Sequence, residues 1–269
     1  MGKVISIINQ KGGSGKTTTT TNMAACLVNK GFKVLVIDLD GQCNSSFNLG
    51  CLDYKERATS IISLLSAILH KQNLPSKEEY IVKTETGVDL IPSDSINFKA
   101  LSDAASNKAG GLFLLRKFIK KEKLQDEYDF IIIDNNGYLG SMYQNSILAS
   151  TNILIPASAN GFDFQGMFEL INSVQDILND EDLNMEKITL DGILITDDEV
   201  NTQVSKAVKE QLNETFKNLK FFKTTIPHSQ DIRKSQFMGQ VLCSQNKKSK
   251  AKDAYYEFVE EYLWISDVK

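Results

Sequence analysis

Four stretches of this chain are apolar almost without interruption: KVISII (3–8), KVLVID (33–38), FIIID (130–134) and NILIPA (152–157). A strand with one wet face alternates apolar and polar residues, and a strand covered on both faces does not. Such runs demand helices on both sides of a sheet. The sequence supplies helical stretches at 16–29, 59–70, 111–122, 162–178, 200–216 and 249–263. Further strands are expected at VDLIP (88–92), ITLDGILIT (188–196) and FFKTTIP (221–227). The β-α-β-α order predicts an α/β fold, a doubly wound and mostly parallel sheet flanked by helices, with right-handed crossovers. Pro92, Pro156 and Pro227 are expected directly after strands, at the edge where such sheets bind ligands. Residues 71–80 are polar and read as a surface connection. With no internal repeat and no Pro/Ser linker, residues 1–269 read as one domain.

The segment after the first strand is NQKGGSGKTTTT (9–20). A phosphate-binding loop usually reads G-x-x-x-x-G-K-S/T. Here Gln10 stands where its first glycine belongs, and Lys11 follows, so two lysines flank one short loop. Gly12, Gly13 and Gly15 allow backbone N–H groups to close around phosphate oxygens, with Ser14 between them and Thr18 just beyond. The helix start adds its partial positive charge. Lys16 can reach the β- and γ-phosphates, and the Thr17 hydroxyl can bind Mg²⁺.

Acidic residues stand at two strand ends. VLVIDLD places Asp38 and Asp40 after the second strand, and FIIIDNNG places Asp134 after a later one. A carboxylate at such a position can hold Mg²⁺, partly through water. Attack by water also needs a group to orient it. A lone strand-end Asp is ordinarily a turn or helix cap; two of them behind a phosphate loop point to the metal.

KGGSGKTTTTTN, VLVIDLDGQ and YDFIIIDNNGYLG together resemble the ParA/Soj family of partition ATPases. These belong to the deviant Walker A class of P-loop NTPases, which also holds MinD and the nitrogenase iron protein. The likeness runs from Lys3 to about Leu263. It implies ATP and Mg²⁺ as cofactors and a homodimer formed with ATP. It also implies that Lys16 serves the ATP of its own subunit, while Lys11 crosses the interface to the partner's ATP. Asp40 would position the attacking water and help hold the metal, Thr17 would bind Mg²⁺, and Asp134 would be the Walker B carboxylate. By the same likeness the adenine lies near Pro227. Two departures stand out. Gly41 replaces the proline of D-x-D-P-Q, and Asn135-Asn136-Gly137-Tyr138 replaces the T-P-P-S of D-T-P-P-S-L-G. Loss of two prolines loosens that loop in the free state. ATP is preferred over GTP because no N-K-x-D or T-K-x-D guanine signature is present.

Net charge is −4, so any attraction to nucleic acid must come from a local patch. DIRKS (231–235) and NKKSKAK (246–252) supply Arg233, Lys234, Lys247, Lys248, Lys250 and Lys252. In the family, basic residues of this region help bind DNA without sequence preference, and a DNA-bound ParB-like adaptor controls hydrolysis. Such affinity needs only several cations on one surface. A family arginine expected near Val200 is absent, which leaves Lys206 and Lys209 as substitutes. No helix-turn-helix precedes the phosphate loop.

The remaining features narrow the alternatives. Cys26, Cys43, Cys51 and Cys243 form no C-x-x-C pair, which argues against a zinc, disulfide or iron–sulfur framework. No apolar run reaches the roughly 18 residues of a membrane span. MGKVIS fits the myristoylation pattern M-G-x-x-x-S/T, but Val4–Ile8 reads as a buried strand. A MinD-like membrane association needs a basic amphipathic tail. Here the stripe of Tyr255, Phe258, Val259, Tyr262 and Leu263 is backed by acidic residues, which favours packing on the domain. The expected place of action is the cytoplasm, on the nucleoid. A weakly hydrolysing nucleotide switch remains the other reading.

Overall fold

A computed structural model describes residues 1–53, 58–160, 163–184, 187–199 and 202–265. The first half runs β1 (Lys3–Ile7), α1 (Lys16–Asn29), β2 (Val34–Leu39), α2 (Asn44–Asn48), α3 (Ile61–Leu69) and α4 (Lys77–Tyr80). Next come β3 (Val82–Lys83), β4 (Asp89–Ile91), α5 (Phe98–Ser106), α6 (Leu114–Lys121), α7 (Leu124–Glu127) and β5 (Phe130–Asn135). The chain continues through α8 (Ser141–Ala149), β6 (Asn152–Ser158), α9 (Phe164–Asn179) and β7 (Thr189–Thr196). It ends with α10 (Gln203–Thr215), α11 (Gln230–Phe237) and α12 (Lys250–Ile265).

The strands form one sheet in the order β3-β4-β2-β5-β1-β6-β7. All neighbours are parallel except the β3–β4 edge pair. The apolar runs are buried on both faces, as their composition requires. Ile5, Ile7, Val36 and Ile132 pack under α1 and α12. Val4, Leu35, Ile37 and Ile133 face α3, α5 and α6 on the other side. Ile153, Ile155, Ile193 and Ile195 join α8, α9 and α10 in a third cluster.

Two expectations are corrected. FFKTTIP (221–227) is not a strand and makes only isolated bridges, Ile193 with Phe221 and Asp198 with Pro227. Its middle N–H groups are diverted, because those of Lys223 and Thr224 donate to the Glu261 carboxylate of α12 at 2.8 and 2.9 Å. Pro156 does not follow a strand but lies inside β6. The register of β6 with β1 ends at Leu154, so the missing N–H of Pro156 interrupts no ladder there, and its carbonyl accepts from Asn9 Nδ2 at 2.7 Å. Residues 71–80 do form a mostly exposed connection, and it includes α4.

Gly2 explains itself by packing. A Cβ there would lie 1.9 Å from the Tyr128 carbonyl oxygen, and its N–H donates to Gln125 O at 2.7 Å. A glycine is required at that position for close backbone approach. The apolar stripe of α12 is equally committed: Tyr255, Phe258, Val259 and Tyr262 are fully buried, with Phe222 packed edge-on to Phe258 at 5.0 Å.

Candidate nucleotide site

Parallel strands deliver their C-terminal ends to one edge, and the site forms there. β1 ends at Ile7 and α1 begins at Lys16, with Gly13 and Gly15 at φ +75° and +89° in the loop between. Side chains rarely adopt that backbone. Space beside Gly12 and Gly13 is open, whereas a Cβ on Gly15 would press on Thr196 of β7 at 3.1 Å. Thr196 Oγ1 also donates to Ser14 O at 2.9 Å, which anchors the loop to β7. Together these elements border an open cleft of about 620 Å³.

Lys16 lines that cleft, and its ammonium donates to Lys11 O at 3.2 Å. Burial lowers the Lys16 pKa, and the nearby charges of Asp134 and Asp40 partly oppose this. Lys11 is placed differently. It does not line the cleft but borders a small hollow with Asn9, Asp163 and Met167, on the side of the loop facing α9. Its N–H donates to Asn9 Oδ1 at 2.9 Å. The two lysines thus border different hollows beside one loop.

Asp38 and Asp134 are register partners across β2 and β5, and both are fully buried. Asp134 accepts from Thr17 Oγ1 at 2.8 Å, Ser45 Oγ at 2.6 Å and Thr20 Oγ1 at 3.3 Å. Burial pushes its carboxyl up to about 6, with the hydroxyls of Ser45 and Thr17 pulling the other way. Asp38 accepts from Ser46 N and Oγ at 2.8 and 2.6 Å and from Asp40 N at 3.2 Å. Burial, and then the charge of Asp134, pushes it up to about 8. Asp38 therefore shapes the β2–α2 turn, whereas Asp40 is half-exposed and lines the cleft. A hydroxyl and carboxylate oxygens around a phosphate loop are the hard oxygen set that Mg²⁺ takes. Thr17, Asp134 and Asp40 would hold it, and they fit that group.

The loop after β5 borders the cleft through one residue. Gly137 lines it, and a Cβ there would lie 2.6 Å from Gln10 O. The departure from the prolines thus lets this loop rest against the phosphate loop. Asn135 is buried and donates to Ser6 Oγ at 2.9 Å and Ile7 O at 3.1 Å.

Other expected residues lie elsewhere. Pro227 does not line the cleft and bridges Asp198. Arg233 and Lys234 are exposed on α11. Lys247 pairs with Asp231 of that helix, and Gln245 Nε2 donates to Ser235 Oγ at 2.9 Å, so the start of the second basic run is held against α11, which carries the first. Lys248 and Lys250 are exposed, while Lys252 donates to Gln245 O. Lys209 is committed to buried Asp198, and Val200 lies outside the described residues. Sequence reasoning missed Ser45, Phe47, Asn48 and Gln236. The first three follow D-x-D on a helix too short to show periodicity, and Gln236 sits on α11 with no motif around it.

The AAA domain family model matches residues 2–189. The chain belongs to that family. Within the AAA domain family it is of the ParA/Soj type, the deviant Walker A class. An uncharacterized protein of Methanocaldococcus jannaschii is 31% identical over 97% of both chains. The sporulation initiation inhibitor protein Soj of Bacillus subtilis is 28% identical, covering 97% of this chain and 98% of that one. Among solved structures, cobyrinic acid a,c-diamide synthase from Mycobacterium smegmatis with bound ADP and magnesium superimposes with a TM-score of 0.82. It is 25% identical, covering 99% of this chain and 97% of that one. Among the described residues of this AAA domain protein, no helix is long and apolar enough to cross a membrane.

Proposed function

We propose that this protein is an ATP- and Mg²⁺-dependent ATPase that dimerises when ATP is bound. As that dimer it binds DNA without sequence preference, and a DNA-bound, ParB-like adaptor triggers hydrolysis during partition of a plasmid or chromosome. The observation that carries this reading is the separation of Lys11 from the cleft that holds Lys16. A cation outside that cleft is free to serve a nucleotide held by a second copy, so ATP favours the dimer by differential affinity.

In this reading Lys16 and the N–H groups of Gly12–Thr17 cradle the phosphates. Mg²⁺, when bound, would neutralise phosphate charge. Thr17 and Asp134, already joined by a 2.8 Å hydrogen bond, would hold the metal, and Asp40 on the cleft wall would orient the attacking water. Arg233, Lys234, Lys247, Lys248, Lys250 and Lys252 supply DNA-phosphate contacts, doubled on dimerisation. Hydrolysis is slow without the adaptor, because the 135–140 loop must first settle over the phosphates. The site of action is the nucleoid in the cytoplasm. Membrane attachment through α12 draws no support, since its apolar stripe is spent on the core.

Light scattering with and without Mg²⁺-ATP tests the reading. Wild type should double in mass with ATP. Lys11→Ala should bind ATP yet stay monomeric, and Asp40→Ala should dimerise and fail to hydrolyse. Normal dimerisation of Lys11→Ala would remove the cross-subunit role.

A further inference from the structure

The two ends of the cleft differ in chemistry. One end holds glycines, Lys16, Thr17 and Asp40, which suit phosphate and metal. The other is lined by Thr18, Phe47, Asn48 and Gln236, an aromatic ring among neutral polar groups. A nucleotide held by its phosphates at the first end must lay its ribose and base toward the second.

Gln236 is fixed there. Its Nε2 donates to Thr18 Oγ1 at 2.5 Å, which ties α11 to the first turn of α1. Among the described residues this is the one hydrogen bond of its side chain. A primary amide offers two N–H donors and an acceptor oxygen. One donor is used, and one donor and the acceptor oxygen remain. Phe47 is fixed as well. A Cβ on Gly239, at φ +63° in the turn that ends α11, would lie 3.0 Å from Phe47 Cζ. The end of α11 thus sets both the amide and the ring.

We propose that Gln236 is the specificity-determining residue for the base, and that Phe47 borders the purine it reads. This rests on the cleft being the nucleotide site. On the edge carrying N6 and N7, adenine presents one donor and one acceptor, which match an amide. Guanine presents two acceptors, O6 and N7, which match an arginine. The missing guanine signature in the sequence gives only negative grounds for ATP; Gln236 gives a positive one.

The experiment is titration of Mg²⁺-ATP, Mg²⁺-ITP and Mg²⁺-GTP into wild type, Gln236→Leu and Gln236→Arg by calorimetry. ITP carries O6 but lacks the 2-amino group, so it separates edge reading from exclusion by bulk at C2. Wild type should prefer ATP over both ITP and GTP by about tenfold or more. Gln236→Leu should bring the three affinities to within about threefold, mainly by weakening ATP. Gln236→Arg should turn the preference toward ITP and GTP, a gain that misfolding cannot produce. Equal binding of ATP and ITP by wild type would overturn the assignment, as would an unchanged ratio in Gln236→Leu or Gln236→Arg. Either result leaves the cleft a triphosphate site. Failure of wild type to bind any of the three would overturn the nucleotide site itself.

Discussion

Asp134→Asn should stabilise the nucleotide-free protein while destroying its response to Mg²⁺-ATP. Asp134 is fully buried beside Asp38, and its carboxyl is pushed from an ordinary value near 3.8 up to about 6. At about 1.4 kcal/mol per pH unit, holding that group ionised at pH 8 costs the fold about 3 kcal/mol. The sign follows from the folded value lying above the unfolded one. The penalty is complete above about pH 6, fades as pH falls, and is absent below the ordinary carboxylate value. Asparagine keeps the shape and removes the charge. The Ser45 and Thr17 hydroxyls, donors to the carboxylate at 2.6 and 2.8 Å, can rotate to accept from the new amide.

A net gain of about 1–3 kcal/mol raises Tm by about 2–6 °C in a chain of this size. The assay is thermal unfolding of both proteins at pH 8 and pH 4, with and without Mg²⁺-ATP. Without ligand, the variant should melt higher at pH 8 and alongside wild type at pH 4. With ligand at a hundred times Kd, wild type should gain about 2.7 kcal/mol and the variant almost nothing. A variant that melts below wild type at pH 8 without ligand would refute the claim that this carboxylate is held at a cost to the fold.

Lys16→Ala and Thr17→Ala should each abolish measurable ATP binding at millimolar Mg²⁺ in calorimetry. Lys209→Ala leaves Asp198 buried without its ammonium partner and should cost about 3–5 kcal/mol in urea unfolding. Burial raises the Asp198 pKa, but hydrogen bonds from Lys209, Ser205 and Thr225 outweigh it and leave the pKa lowered. The stability this group contributes is therefore present above the ordinary carboxylate range. It is lost as pH falls through the lowered value, and the loss should be missing from Asp198→Asn. For DNA, the Arg233→Ala/Lys234→Ala double change should flatten the plot of log affinity against log salt by about 2 per subunit on any duplex, measured with ATP and Asp40→Ala protein. Lys247→Ala should change it less, because Asp231 already pairs with that ammonium.

The sheet and the phosphate loop were legible because their causes are local. A continuous apolar run means a strand covered on both faces, and β1, β2, β5 and β6 obeyed. Gly13 and Gly15 take positive φ, as a loop closing on phosphate requires. FFKTTIP misled because its aromatic and β-branched composition is strand-like, while the group that breaks its ladder, Glu261, is some forty residues away in α12. Helices α2, α4 and α7 span five residues or fewer, less than two turns, so no 3.6-residue period can show. The division of labour between Asp38 and Asp40 was equally hidden. Both stand in VLVIDLD, and only the Ser46 cap on one and the cleft beside the other tell them apart. Gln236 lay furthest from view, since its meaning depends on one hydroxyl 218 residues earlier. Residues that hold phosphate form a contiguous motif because one turn of backbone can cradle three phosphates. Reading a base takes groups some distance from that turn, from whichever elements the fold brings there. Here the fold brings α11, which carries Arg233 and Lys234 three and two residues from Gln236, so the helix proposed to read the base also carries two of the cations proposed to meet DNA.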